Sequence, residues 1–186
     1  MEVNRVTDED VMNKVKSGNV KILALLFERY HVKLYNYFFR LTGDKGISED
    51  LTQDVFFRIL KYRATFRQES KFTTWMYQIG RNVHFDHLKK YKKEMPLEEK
   101  WEEEIAAESQ PEQKTQEEQE AVLLHRALSR LAPSKKEVLV LSRFQGMKYR
   151  EISKVLGCSI SSVKTQVHRA IKDLKKTYIT LKGGVL

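Results

Sequence analysis

Two groups of side chains in this sequence have the types and spacing needed to handle nucleic acid. The first runs through Lys71-Phe72-Thr73-Thr74-Trp75-Met76-Tyr77-Gln78-Ile79-Gly80-Arg81-Asn82 and on to the cations of residues 89–93. At helical spacing Lys71, Thr74, Tyr77, Gln78, Arg81 and Asn82 are left on the polar side, opposite Trp75, Met76, Ile79, Val83 and Leu88. Rings that stack on bases, amides that read base edges and cations that meet phosphates are the chemistry of a single-strand binder. The second group is Lys164, Thr165, His168, Arg169, Lys172 and Lys175, opposite Val163, Val167, Ala170, Ile171 and Leu174. A helix with one apolar face and one basic, polar face fits the major groove, where side chains reach base edges and cations neutralise phosphates.

A third group, Asp50, Gln53, Asp54 and Arg58, makes a polar stripe on the outside of a helix whose inner face is Leu51, Val55, Ile59 and Phe56. Such a stripe serves equally as a solvated surface or as a docking face. Catalytic chemistry finds no comparable set: there is no glycine-rich phosphate loop, no nucleophile motif and no cysteine pair for zinc. His84 and His87 lack a third ligand, and Asp50 and Asp54 sit in the wrong company for acid–base work. We expect no enzyme, no cofactor and no metal.

The elements that carry these groups can be cut out by their punctuation. Pro133 and Ser134 open a helix containing Val138, Leu139, Leu141 and Phe144, and Gly146 stops it. A second helix over Tyr149–Leu156 ends at Gly157, and Ser159 caps a third that bears the basic face. Two short helices around a glycine turn, the second with a basic outer face, form the pattern of a helix-turn-helix; a plain three-helix bundle with a solvated basic face shares the spacing. Upstream, helices are expected over Asp8–Gly18, Val20–Thr42, Glu49–Tyr62 with Ser48 as cap, and Lys71–Tyr91, with a polar loop over Phe66–Ser70. A further helix over Glu118–Leu131 begins the second half.

Charge divides the chain the same way. Residues 1–93 carry +7, residues 94–120 carry −9 and residues 121–186 carry +11. We therefore expect an all-α protein of two small helical domains, 1–93 and 121–186, joined by a flexible acidic linker over 94–120, the C-terminal domain being the helix-turn-helix. Two basic lobes call for a polyanionic partner. No run approaches 18 apolar residues and no signal peptide is expected, so membrane insertion is not; with one cysteine, Cys158, the cytoplasm is the expected compartment.

Three stretches together resemble a known family: Ser48-Glu49-Asp50-Leu51-Thr52-Gln53-Asp54-Val55-Phe56, then Phe72 to Asn82, then the helix-turn-helix from Leu131 to Ala170. In that order, around a linker, they resemble the bacterial extracytoplasmic-function (group IV) sigma factors of RNA polymerase. The resemblance implies a subunit that binds core RNA polymerase and directs promoter recognition, DNA melting and transcription initiation. By it, Asp50, Gln53, Asp54 and Arg58 would dock on the polymerase clamp. Phe66, Lys71, Trp75, Tyr77, Gln78, Arg81, Asn82 and Lys89 would melt and hold the minus-ten element, with Asn82 placed as the base-reading asparagine. Ser162, Lys164, Thr165, His168, Arg169 and Lys172 would read the minus-thirty-five element. The linker would thread the RNA exit path, and an anti-sigma factor is an expected partner. Ser161, Ser162 and Gln166 depart from residues common in the family, which bears on the promoter sequence read. The alternative from another class is a free-standing, dimeric DNA-binding regulator, which accounts for the second lobe but not for the first.

Overall fold

The computed structural model describes residues 6–67, 69–94 and 115–183. Every regular element among them is helical. The acidic stretch over 95–114 lies outside the described residues, and with it the greater part of the expected linker.

The first lobe is built from α1 (Asp8–Lys16), α2 (Leu23–Thr42), α3 (Lys45–Lys61) and α4 (Phe72–Glu94), with single 3-10 turns at Val20–Ile22 and Arg63–Thr65. Thr7 caps α1 by accepting from the Asp10 backbone N–H, and Asp10 reaches back to Thr7, a reciprocal box that fixes where the helix begins. The stripe Leu26, Tyr30, Leu34, Tyr37, Phe38 and Leu41 makes α2 the spine of the lobe, buried against α3 and α4. Gly43, at φ 77°, takes the left-handed turn that ends it. The expected Ser48 cap on α3 is corrected. Asp44 is the cap, accepting from the Ile47 N–H at 2.8 Å, and α3 starts at Lys45. Ser48 lies inside the helix, fully buried, its hydroxyl bonded to the Asp44 carbonyl and to Thr42. Two candidate caps four residues apart compete, and the aspartate lies next to the glycine turn, where the first free N–H groups are.

The second lobe holds α5 (Gln116–Ser129), α6 (Pro133–Leu139), α7 (Tyr149–Leu156) and α8 (Ile160–Gly183). Helix α5 begins two residues before the expected start, because glutamine and glutamate are good helix formers and carboxylates suit a helix N-terminus. Pro133 is in the first turn of α6, where its missing N–H costs nothing, and no side chain caps it. The helix then widens into a π turn over Val140–Phe144, so it continues to Phe144 with a changed register. Helix α7 has the bounds its punctuation indicates, with Gly157 at φ 67° after it. Ser159 Oγ accepts from the Ser162 N–H at 3.1 Å and so caps α8 as expected. Val138, Leu139, Leu141, Ile152, Val155, Val163, Val167 and Ala170 close the core of this lobe.

The lobes touch. Helix α4 packs on α7, and the C-terminal half of α2 meets α5, α6 and the π turn. Arg40 stacks over the Phe144 ring at 4.5 Å, Phe39 meets His125 at 5.2 Å, and Lys136 Nζ donates to the Leu41 carbonyl.

Candidate nucleic-acid interface

Helix α4 is positioned by the first helix as much as by its own core. Glu9 of α1 accepts from the Phe72 N–H at 2.9 Å, a carboxylate placed on a free donor at the N-terminus of α4. Lys16, at the other end of α1, donates to the Phe66 carbonyl at 2.8 Å. The segment between Phe66 and Phe72 is thus held at both ends by α1. Inside it, Phe66 is fully buried, with ring contacts to Phe72 and Trp75 at 6.4 and 5.3 Å. This corrects the expectation that Phe66 faces DNA: its ring backs Trp75, which is the half-buried one. Gly80 faces α2, where an added Cβ would make ordinary contact, 3.6 Å from Phe38 and 3.8 Å from Leu34 and Tyr37.

Of the other α4 residues singled out, Asn82 and Lys89 are exposed. Lys71, Tyr77, Gln78 and Arg81 are brought together on one face, but that face meets the second lobe. Lys71 pairs with Glu151 at 2.6 Å, and the Tyr77 hydroxyl donates to Gln145 Oε1 at 2.7 Å. Gln78 Nε2 donates to the Lys154 carbonyl at 2.9 Å, and Arg81 Nε lies 3.1 Å from Glu137 Oε1. Burial pushes the Glu137 carboxyl up while Arg81 pulls it down. Thr74, expected on the polar side, is buried.

On α8, Lys164, Thr165, His168, Arg169 and Lys172 are all exposed on one side, and Ser162 is half-buried. Gln166 Nε2 donates to Ser162 Oγ at 2.9 Å, and the Thr165 hydroxyl donates to the Ser161 carbonyl. These bonds fix the start of the helix, and among the described residues Lys164, Arg169 and Lys172 make no ion pair. Asp173, on another side, pairs with Lys135 of α6.

The α3 stripe is present but unequal. Asp50 and Gln53 are exposed. Arg58 holds Asp54 on its own helix at 3.1 Å and Asp86 of α4 at 2.6 Å, so it ties α3 to α4. Between them the sequence reading missed Phe57, which is 65% exposed. Of the Phe56-Phe57 pair the first is buried against Phe27, at 4.9 Å, and the second must therefore point out. The 3.6-residue period centres Phe57 among Asp50, Gln53 and Asp54. That signal was available in the sequence. Among the described residues no cluster of three or more His, Cys, Asp or Glu could hold a metal, and no helix is long and apolar enough to cross a membrane.

The two lobes coincide with two matched families: sigma-70 region 2 over residues 26–94 and sigma-70 region 4 over residues 121–174. The RNA polymerase sigma factor YlaC of Bacillus subtilis (strain 168) is 33% identical over 153 residues, covering 81% of this chain and 88% of the relative. The ECF sigma factor SigX of the same strain is 30% identical over 160 residues, covering 82% of this chain and 81% of the relative. Among solved structures, CnrH in complex with the cytosolic domain of CnrY has a TM-score of 0.70 at 22% identity, over 91% of this chain and 95% of that one. RpoE of Bartonella quintana, solved with the anti-sigma factor NepR, has a TM-score of 0.66 at 21% identity, over 84% of this chain and 96% of that one. The fold and the matched regions together define a two-lobed sigma-70-type transcription initiation factor. The chain belongs to the extracytoplasmic-function (group IV) sigma factors, which bind core RNA polymerase and promoter DNA and direct promoter-specific initiation.

Proposed function

We propose that the three faces divide the work of initiation among them. The α3 face, with Asp50, Gln53 and Phe57 at its centre and Asp54 and Arg58 at its edge, docks on the polymerase clamp. An exposed ring can anchor an interface by burying its apolar surface in a partner's pocket, with the polar side chains around it as the rim. The α4 face, with Lys71, Trp75, Tyr77, Gln78, Arg81, Asn82 and Lys89, holds the melted minus-ten strand, and Phe66 supports Trp75 from behind. Unstacking a base costs a few kcal/mol, offset by stacking and by cations on the backbone. The α8 face, with Ser162, Lys164, Thr165, His168, Arg169 and Lys172, reads the minus-thirty-five duplex. Residues 94–120 link the two lobes, as the acidic connection through the polymerase.

What carries this reading is that the sigma-70 matches fall on separate helical lobes whose candidate residues lie on three distinct faces. The protein acts by binding, in the cytoplasm, with no catalytic chemistry of its own. An anti-sigma factor is a further partner, supported by the similarly folded RpoE, solved with the anti-sigma factor NepR. Transcription by core polymerase with one variant per face tests the division. Asp50→Lys should lose core binding, Asn82→Ala should bind core and duplex but fail to open the promoter, and Arg169→Ala should fail at the duplex step. Loss of the same step by all three would overturn it.

A further inference from the structure

Helix α1 lies ahead of the region matched over residues 26–94, yet its two ends reach the segment that leads into α4. Glu9 accepts from the Phe72 N–H at 2.9 Å, and Lys16 donates to the Phe66 carbonyl at 2.8 Å. At positions i and i+7 the two side chains leave the same side of α1, about two turns apart. Met12, between them, is fully buried. Helix α1 is itself pinned to α2, since Arg29 pairs with Asp8 at 2.6 Å and the Tyr30 hydroxyl donates to the same carboxylate. A braced helix thus fixes both ends of a short segment on which Arg67, Glu69 and Lys71 are exposed.

We propose that Glu9 and Lys16 are positioning residues for minus-ten recognition: by clasping the segment between Phe66 and Phe72 at both ends, they preset the place where an unstacked base is received. This rests on the strand-binding role given to α4 above. Both side chains act through backbone atoms of the segment rather than by touching the strand.

A segment left free would sample many backbone shapes, and ordering it only when the strand arrives would lower affinity. The clasp orders it beforehand. Each bond joins a charged side chain to a backbone group, which makes it stronger than a neutral pair, and the Phe72 N–H is one of the donors that the first turn of α4 leaves free. The Phe66 ring lies 5.3 Å from Trp75 and the Phe72 ring 5.4 Å from Tyr30, so a shift at either end of the segment carries over to the rings behind the strand face. A misplacement of about 1 Å is enough to cost a site most of its discrimination.

Two measurements on the full chain test this. Amide hydrogen exchange in the free protein should be slow at Phe72, whose first-turn N–H has no partner within its own helix, and Glu9→Ala should speed it while the Val83 amide stays protected. Fast exchange at Phe72 in the unaltered protein would overturn the clasp without recourse to any variant. The second measurement uses the protein bound to core polymerase and fork-junction DNA with a single-stranded minus-ten segment, taken from a promoter the protein transcribes. Its readout is the preference for the natural base over the other three at each position. Glu9→Ala combined with Lys16→Met should lower that preference at the unstacked position by about tenfold, the equivalent of one charge-assisted hydrogen bond. Glu9→Gln combined with Lys16→Arg, which keeps an acceptor and a donor, should restore it. A helix that only supports the fold would lower the melting midpoint and leave the base preference of the assembled complexes unchanged, and that result would overturn the proposal. Asn82→Ala separates the two readings, because Asn82 stands outside the clasp. If it leaves base preference intact, the strand role of α4 fails and the clasp's role with it; if it abolishes the preference while the broken clasp does not, only the clasp's role fails.

Discussion

Phe57 and Phe66 exchange the roles their neighbours suggest. Phe66, beside a polar loop, is fully buried and supports Trp75, whereas Phe57, inside a helix, is 65% exposed. Truncating a buried phenylalanine costs about 3–5 kcal/mol, so Phe66→Ala should lower the thermal midpoint markedly; an unshifted melting curve would take Phe66 out of the core. Phe57→Ala should leave the midpoint unchanged or raised. Its affinity for core polymerase should fall by roughly thirtyfold, the equivalent of about 2 kcal/mol for a hot-spot aromatic. Equal affinity of the two proteins in a core pull-down would remove Phe57 from the docking face. Arg169→Ala should cost about 1–3 kcal/mol of promoter discrimination if its guanidinium reads a base in the major groove, measured as duplex selectivity in the polymerase-bound state. Helical period placed the exposed α8 side chains correctly in the sequence. It also turns Phe57 outward, since Leu51, Val55 and Ile59 fix the inner face of that helix; what the period does not say is that an exposed ring there is more than a surface residue.

At the scale of elements, punctuation was legible wherever a glycine must take a left-handed turn. Gly43, Gly146 and Gly157 all have positive φ; the last two end the helices they were expected to end, and Gly43 follows the expected end at Thr42. Competing polar caps were not legible: Asp44 and Ser48 are both good candidates, and only the packed structure shows Ser48 buried in the helix. Glycine at position 80 is of a different kind. It has ordinary helical geometry, and an added methyl would make normal contact with Phe38 at 3.6 Å. Gly80→Ala should therefore be neutral or stabilising by up to about 1 kcal/mol through helix propensity. Chemical denaturation checks this, and a clear loss of stability would mean that α2 and α4 approach more closely than their axes here allow. Asp50 is the better charge probe on α3, because Asp54 is already committed to Arg58, which also holds Asp86. A lysine at 54 would loosen the α3–α4 clasp as well as the docking face.

For the whole molecule, the two-lobe, all-helical plan followed from charge and periodicity, each a local property of the chain. The contact between lobes did not, since Lys71 and Glu151 are 80 residues apart and no local pattern encodes their meeting. The same chain therefore presents two kinds of surface: faces open in the free protein, on α3 and α8, and one covered face, on α4. On the proposed division of work initiation uses all three, and an assembly with polymerase and promoter would engage them together. The most direct measurement is run-off transcription by bacterial core polymerase, with and without this protein, on promoter fragments from its own genome. Transcripts that depend on the protein and start at fixed points below a shared two-part motif are the predicted result. No dependence on the protein, together with tight binding to palindromic duplex by the protein alone, would contradict the account.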